Sequence, residues 1–263
     1  MSAPEYTVST TGAFLAVLSR DMHVTGKELG AFLAQTLIQP FFFLFVFAHV
    51  LGGAGFVSAG YGQIMLPGLL ALNAFFGALQ AVAFPLVLDF AWTREIEDRL
   101  LAPIPIPLVG VEKIVFGALR GLISSLLMVP IGLLVLSGVA WPASGLLPAF
   151  LMTALGALLG GAMGLAIGTL MPPKRINLLF AMIFAPLMFT GSVQFPWRAL
   201  DTQQWFQVLC ALNPLTYVSE GIRAVLVPEV PHLPFGLCAV VTVLAIAALS
   251  WLGIRGFLRR ALD

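Results

Sequence analysis

Long apolar stretches separated by short charged clusters organise this chain. No Asp, Glu, Lys or Arg occurs from Leu29 to Leu88, Gly121 to Pro173, Ile176 to Trp197, or Leu233 to Ile254. The first two intervals are long enough for two membrane crossings each and the last two for one each, which predicts six transmembrane helices. Breaks within the intervals place them near 31–51, 63–88, 110–138, 146–170, 176–192 and 235–254. Gly52, Gly53 and Gly55 are expected to end the first helix. Alternating prolines at Pro103, Pro105 and Pro107 are expected to hold a turn after the second, because proline interrupts a helix ladder. Trp141-Pro142 closes the third, and Pro172-Pro173-Lys174-Arg175 forms a polar loop after the fourth.

The weaker periodicities add three elements. Over residues 11–24, Phe14, Leu18 and Met22 recur every four positions, with Arg20, Asp21 and His23 mostly elsewhere on the wheel. This pattern predicts an amphipathic helix lying in the membrane interface, or one packed on a soluble-side partner. Residues 93–101 carry Arg94, Glu95, Glu97, Asp98 and Arg99 with an apolar edge of Ile96, Leu100 and Leu101, which suits docking to a soluble protein. The stretch 193–227 is too polar to span yet too apolar for a free loop, and is expected to dip into the outer leaflet as re-entrant helices. Within it, Asn213-Pro214 reads as an N-cap with proline in the first helical turn. Tyr217 follows, and Glu220 and Arg223 stand three apart, a spacing that allows pairing.

Composition excludes a water-soluble globule. Only 10% of the 263 residues are charged and 60% are hydrophobic, against roughly a quarter charged in soluble proteins. The fold class expected is all-α, a polytopic membrane protein forming one transmembrane domain over residues 1–263. Eleven of the thirteen Lys and Arg residues fall on one side if the N-terminus is cytoplasmic, leaving only Arg198 and Arg223 outside. That bias places both termini in the cytoplasm. Residues 1–28 lack a basic flank followed by an apolar core, so the first span is expected to direct insertion itself.

Catalytic signatures do not emerge. Gly26-Lys27 is followed by Glu28 and has Asp21 where a phosphate-binding loop needs glycine, and neither a HExxH nor a GxSxG motif occurs. No catalytic, cofactor or metal residues are expected, nor any nucleic-acid binding, and Cys210 and Cys238 read as inert thiols. The predicted span centres hold neutral polar groups such as Asn73, Gln80, Ser124 and Ser125, while Asp89 and Glu112 fall near cytoplasmic ends that water can reach. Gly156, Gly160, Gly164 and Gly168 repeat every fourth residue, which permits close helix packing or a moving subunit interface. Phe41, Phe42 and Phe45 could face lipid, pack internally, or line a subunit seam or substrate path.

The segment Arg94-Glu95-Ile96-Glu97-Asp98-Arg99-Leu100-Leu101-Ala102-Pro103 resembles the one that follows the second span in permease subunits of type-2 ABC exporters. Asn213-Pro214-Leu215-Thr216-Tyr217 with Glu220-Gly221-Ile222-Arg223 resembles that family's signature before the last span. Weaker matches are Leu66-Pro67-Gly68-Leu69, and Gly191 through Phe195-Pro196. The likeness implies a membrane permease, not an enzyme, closest to the drug and antibiotic exporters and moving an amphipathic or hydrophobic molecule out of the cell. It implies two copies of a soluble P-loop ATPase that bind ATP and Mg, and a second permease chain, identical or homologous. Residues 93–101 would then be the coupling helix, with Arg94, Glu95, Glu97, Asp98, Arg99 and Leu100 at the partner contact. Polysaccharide and glycolipid exporters share the plan, and an intramembrane transferase is the rival of another class.

Overall fold

The computed structural model describes residues 9–27, 29–58, 60–89, 105–136, 138–171 and 176–262, and among them it holds nine α-helices and no strand. Helix α1, Thr10–Lys27, begins where the Ser9 hydroxyl accepts from the Gly12 amide at 3.1 Å, a capping contact. It runs three residues beyond the expected end, because nothing breaks the ladder before Lys27. Helix α2, Leu29–Leu44, contains Pro40 and continues as a π-helical turn over Phe45–Leu51. Gly52 and Gly53 stay helical; the chain turns at Gly55, whose φ of +76° is the left-handed value that glycine adopts without strain.

Helix α3 spans Tyr61–Leu88 and α4 spans Ile106–Val135. The latter starts four residues earlier than expected. Pro105 is its N-cap and Pro107 sits in the first turn, where a missing N–H costs no intrahelical bond. Helix α5, Ala143–Leu170, follows Pro142 as N-cap, and α6 covers Ile176–Thr190. A 3-10 turn at Trp197–Leu200 leads to α7, Gln204–Leu212, and α8, Pro214–Leu226. Helix α9, Phe235–Leu262, extends past the expected 254, with Arg259 and Arg260 in its last turn, where they complement the helix dipole.

Helices α3, α4, α5 and α9 are long and apolar enough to cross a membrane. The regions expected to form the first and fifth crossings are α2 with its π turn and the 15-residue α6. Helix α3 is the pivot: 83% of its most apolar window is buried within the chain, against 17% for α9. It packs against α4, α5 and α8, while α9 packs on α5 and α8. Lipid offers apolar side chains as good a solvent as a protein interior does, so these contacts depend on close backbone approach. Glycines supply it. A Cβ at Gly160 would strike the Phe75 carbonyl and one at Gly121 the Ala74 carbonyl, so α5 and α4 both ride directly on the backbone of α3.

Candidate functional site

Asn73 and Gln80 lie two helical turns apart on α3 and so share one face. That face, with Thr36 and Gln39 of α2 and Phe184 and Met188 of α6, bounds a cavity of about 350 Å³. Its wall is mostly apolar: the rings of Phe76 and Phe184 sit 4.7 Å apart, with Leu72 and Pro40 beside them. Two of the polar groups are already engaged, Thr36 donating to the Phe32 carbonyl at 2.6 Å and Gln39 to the Met188 sulfur at 3.2 Å. Asn73 differs. It is 3% exposed, and its side-chain N–H₂ has no acceptor among the described residues. Leaving such a donor unsatisfied costs about 1–3 kcal/mol, a cost that an acceptor arriving in the cavity would offset. An apolar chamber with a few converging polar groups binds and orients a molecule; its amides neither give nor take a proton. The sequence singled out Asn73 and Gln80 only as neutral groups in a span; their seven-residue spacing was the available signal.

The aromatic run of α2 divides between two faces. Phe41 stacks on Phe45 at 6.0 Å, meets Phe42 edge-on at 5.5 Å, and Phe45 stacks on His49 at 5.7 Å. Phe42 and Phe45 are exposed and none of the three borders the amide cavity. Phe43 and Phe47, stacked at 5.9 Å, turn inward against the core. The four glycines of α5 serve two contacts: Gly160, Gly164 and Gly168 abut Phe75, Leu79 and Leu86 of α3, and Gly156 abuts Val218 of α8. Arg94, Glu95, Glu97, Asp98, Arg99 and Leu100 lie outside the described residues.

The segment after α6 is built around one ion pair. Asn213 caps α8, its side-chain oxygen accepting from the Leu215 amide at 2.9 Å while its amide donates to the Leu187 carbonyl at 2.8 Å. One turn into α8, Tyr217 donates to the Ala211 carbonyl at 2.9 Å, which folds α7 back on α8. Further along, Glu220 and Arg223 form a salt bridge, both fully buried. The Glu220 carboxylate also accepts from the Trp197 amide at 3.1 Å and the Leu233 amide at 3.0 Å. Arg223 donates to the carbonyls of Ile64 at 3.2 Å and Ser192 at 2.8 Å. Burial pulls the guanidinium's pKa below its ordinary value, and the carboxylate opposes that pull. Two side chains thus bind α8 to the chain before it, the chain after it and the start of α3. Helix α7 leaves Trp205, Val208 and Leu212 exposed, an apolar face on a helix too short to cross.

A second charged cluster lies at the far end of α3. Lys113 donates to Asp21 of α1 at 2.6 Å and stands 3.6 Å from Glu112. Glu112 is 1% exposed, which corrects the expectation of a solvated position: the start of α4 is packed among neighbouring helices, α1 among them through Asp21 and Lys113. The guanidinium of Arg120 stacks on the Phe32 ring at 4.3 Å.

The profile of the ABC-2 type transporter family matches residues 12–227 of this chain. The chain is similar to the inner membrane transport permease YadH of Escherichia coli K12, 26% identical over 213 residues that cover 76% of this chain and 80% of that protein. It is also 29% identical, over 80% of its own length and 72% of the relative's, to a chain of Cyanophora paradoxa named as a transport permease, ycf38. Taken with four helices long and apolar enough to cross a bilayer, these matches identify a multi-pass membrane protein.

Proposed function

Since the chain belongs to the ABC-2 type transporter family as its membrane permease, we propose that it is the transmembrane half of an ATP-driven exporter of an amphipathic or hydrophobic molecule. In this reading α2 and α6 complete six crossings, both termini face the cytoplasm, and the host is the plasma or inner membrane. Two copies of a soluble P-loop ATPase dock beneath, through Arg94, Glu95, Glu97, Asp98, Arg99 and Leu100. A second permease chain, identical or homologous, packs along α2 and α6, with Phe41, Phe42 and Phe45 at that seam. Helix α1 lies in the inner interface, and residues 193–227, with Asn213, Pro214, Tyr217, Glu220 and Arg223, form the outer re-entrant cap. ATP binding closes the ATPases, pushes on residues 93–101 and moves α2 and α6 relative to α3.

The observation that carries this reading is the cavity between α2, α3 and α6, with the buried donor of Asn73 lining it. Phenylalanine and methionine around three amides favour drugs and lipid-like molecules. The same amides would serve sugar hydroxyls, which keeps a glycolipid as the second reading. The test is reconstitution in proteoliposomes with a P-loop ATPase that co-purifies with the chain, scoring ATP hydrolysis and export of a fluorescent amphiphile together. Replacing Glu95 and Glu97 with Lys should leave the permease folded in the membrane and uncouple hydrolysis from export. Unchanged export after that double replacement would refute the docking role.

A further inference from the structure

Helix α9 presents two opposite faces at its C-terminal end. One is locked onto α5. A Cβ at Gly253 would meet the Ala166 amide and one at Gly256 the Thr169 hydroxyl, Phe257 is fully buried, and Arg260 donates to the Met171 carbonyl at 2.8 Å. At about 3.6 residues per turn, Trp251, Arg255 and Arg259 point the other way. All three are exposed, Trp251 to 58%. The Arg255 guanidinium lies over the Trp251 ring at 5.0 Å. Neither Arg255 nor Arg259 has an acceptor among the described residues, and no acidic residue occurs from Phe235 to Leu262. The helix dipole accounts for cations in a last turn. It does not account for Arg255, which stands about two turns before Leu262 and is fixed on an indole.

Packing sets the depth of this cluster. A Cβ at Gly110 of α4 would lie 3.4 Å from the Ile254 side chain, so the start of α4 meets α9 beside Arg255. Lys113, one turn further along α4, is bonded to Asp21 of α1 at 2.6 Å. Arg255 therefore shares its level with the charged cluster of α1 and α4, and Trp251 lies about 6 Å deeper. An indole just below a cation is the order found where a span leaves hydrocarbon for headgroups. Beyond Trp251 the same face continues through Leu244, 63% exposed, and Val240, 58% exposed. From Arg255 to Val240 is about 22 Å along the axis, and one leaflet with its headgroups is about 20–22 Å thick.

A second helix would fit this face poorly. Membrane helices associate through small residues, as α9 does on α5 through Gly253 and Gly256. Here bulky side chains project, and a protein would have to bring carboxylates to two guanidinium groups. A phospholipid supplies both halves at once. Its phosphodiester matches the planar donor edge that stacking on Trp251 presents, and its acyl chain matches the leucine and valine below.

We propose that this face binds one anionic phospholipid from the leaflet at the C-terminal end of α9. Arg255 and Arg259 hold its phosphate, and an acyl chain lies along Trp251, Leu244 and Val240. In the orientation proposed above that is the inner leaflet. Neither the amide cavity nor the ATPase takes part, so the site stands or falls apart from the exporter reading.

The test is native mass spectrometry of the full chain in non-ionic detergent, titrated with dioleoylphosphatidylglycerol or dioleoylphosphatidylcholine, reading the affinity of the first lipid bound. Charge-assisted bonds should favour the glycerol lipid roughly 10-fold. Arg255→Gln with Arg259→Gln should bring that ratio to about 1–2. Lysine at both positions should keep part of it, because charge remains without the planar fork. Trp251→Leu should weaken the anionic lipid about 3-fold by releasing the Arg255 plane. Arg198→Gln, at an exposed arginine of the 3-10 turn, should change nothing. Should the double glutamine variant not fold, raised salt on the unaltered chain should narrow the ratio. Equal affinity for the two lipids, a preference that survives both the double variant and salt, or one that Arg198→Gln lowers as much, would overturn the proposal. So would glycerophosphate binding as tightly as the phospholipid. A double variant that binds the anionic lipid unchanged yet loses a co-purifying protein would also overturn it, since the face would then be a protein contact.

Discussion

Removing the carboxylate of Glu220 tests how α8 is held to the segments around it. Glu220 and Arg223 are both 0% exposed, so neither charge has water to fall back on. Breaking a buried pair from one side costs about 3–5 kcal/mol, chiefly because the remaining charge stays buried without its partner. Glu220→Ala also strips the acceptor from the Leu233 amide, which is buried, and from the Trp197 amide, which is partly so. Each orphaned N–H adds about 1 kcal/mol or more. Relaxation reduces the sum, and about 4–6 kcal/mol is the expected loss. Glu220→Gln should cost somewhat less: one oxygen remains, but its NH₂ replaces an acceptor where three donors converge. Replacing both residues, Glu220→Leu with Arg223→Met, removes the stranded charge yet still deprives the Ile64 and Ser192 carbonyls of their donor. The double variant should therefore fall between Glu220→Ala and the unaltered chain. Taking about 2–4 °C per kcal/mol as the scale for a chain of this size, Glu220→Ala should lower the thermal midpoint in detergent by about 10–20 °C. Limited proteolysis should then find the Val193–Pro234 stretch first. A midpoint shift below about 2 °C for Glu220→Ala, or a double variant worse than the single one, would refute the argument that stranded charge dominates.

The helix contacts give two further tests. Gly160→Val would drive a side chain into the Phe75 carbonyl and should cost about 3 kcal/mol or more, seen as lost monodisperse protein. Gly236→Ala, with nothing within 4 Å of the new Cβ, should be neutral or stabilise by up to about 1 kcal/mol. Asp21→Ala should destabilise less than Glu220→Ala, by about 1–3 kcal/mol, because Lys113 keeps Glu112 at 3.6 Å. Exchanging the charges (Asp21→Lys with Lys113→Asp) should recover only part of that thermal midpoint, since the new aspartate would stand beside Glu112.

What was legible in the sequence was what neighbouring residues decide. Asn213-Pro214 announced a cap and a first turn, and the structure has both, because a cap involves only the next few residues. The i, i+3 spacing of Glu220 and Arg223 announced a pair. Its burial and its links to Trp197 and Leu233, 23 and 13 residues from Glu220, depend on chain segments that no local pattern connects. Glu112 failed in the opposite direction. Its place at a helix end suggested water, but it is buried where helices distant in sequence meet, α1 being joined to α4 there through Asp21 and Lys113, 92 residues apart. The proline run misled for a stereochemical reason: the first turn of a helix tolerates proline, so Pro105 and Pro107 begin α4 instead of preceding it. The amide cavity was half visible, since Asn73 and Gln80 share a face by spacing alone, whereas Gln39 and Met188 meet across 149 residues.

The distribution of packing separates a frame from a wall. Backbone-to-backbone approach at Gly121, Gly160 and Gly164 fixes α4 and α5 on α3, and no side chain can be inserted there without displacing a main chain. Where they face α3, helices α2 and α6 meet it or each other through contacts that can exchange partners, an amide on a thioether between Gln39 and Met188 and a ring pair between Phe76 and Phe184, while the end of α6 is tied to α8 through Asn213 and Thr216. Sliding a phenylalanine or a methionine across an apolar surface costs far less than pulling apart helices joined through glycine, because packed cores deform little. The cavity lies between these two regimes, with Asn73 and Gln80 on the fixed side and Thr36, Gln39, Phe184 and Met188 on the other. In the exporter proposed above, a molecule bound there would be oriented by groups that stay in place and enclosed by groups that can move.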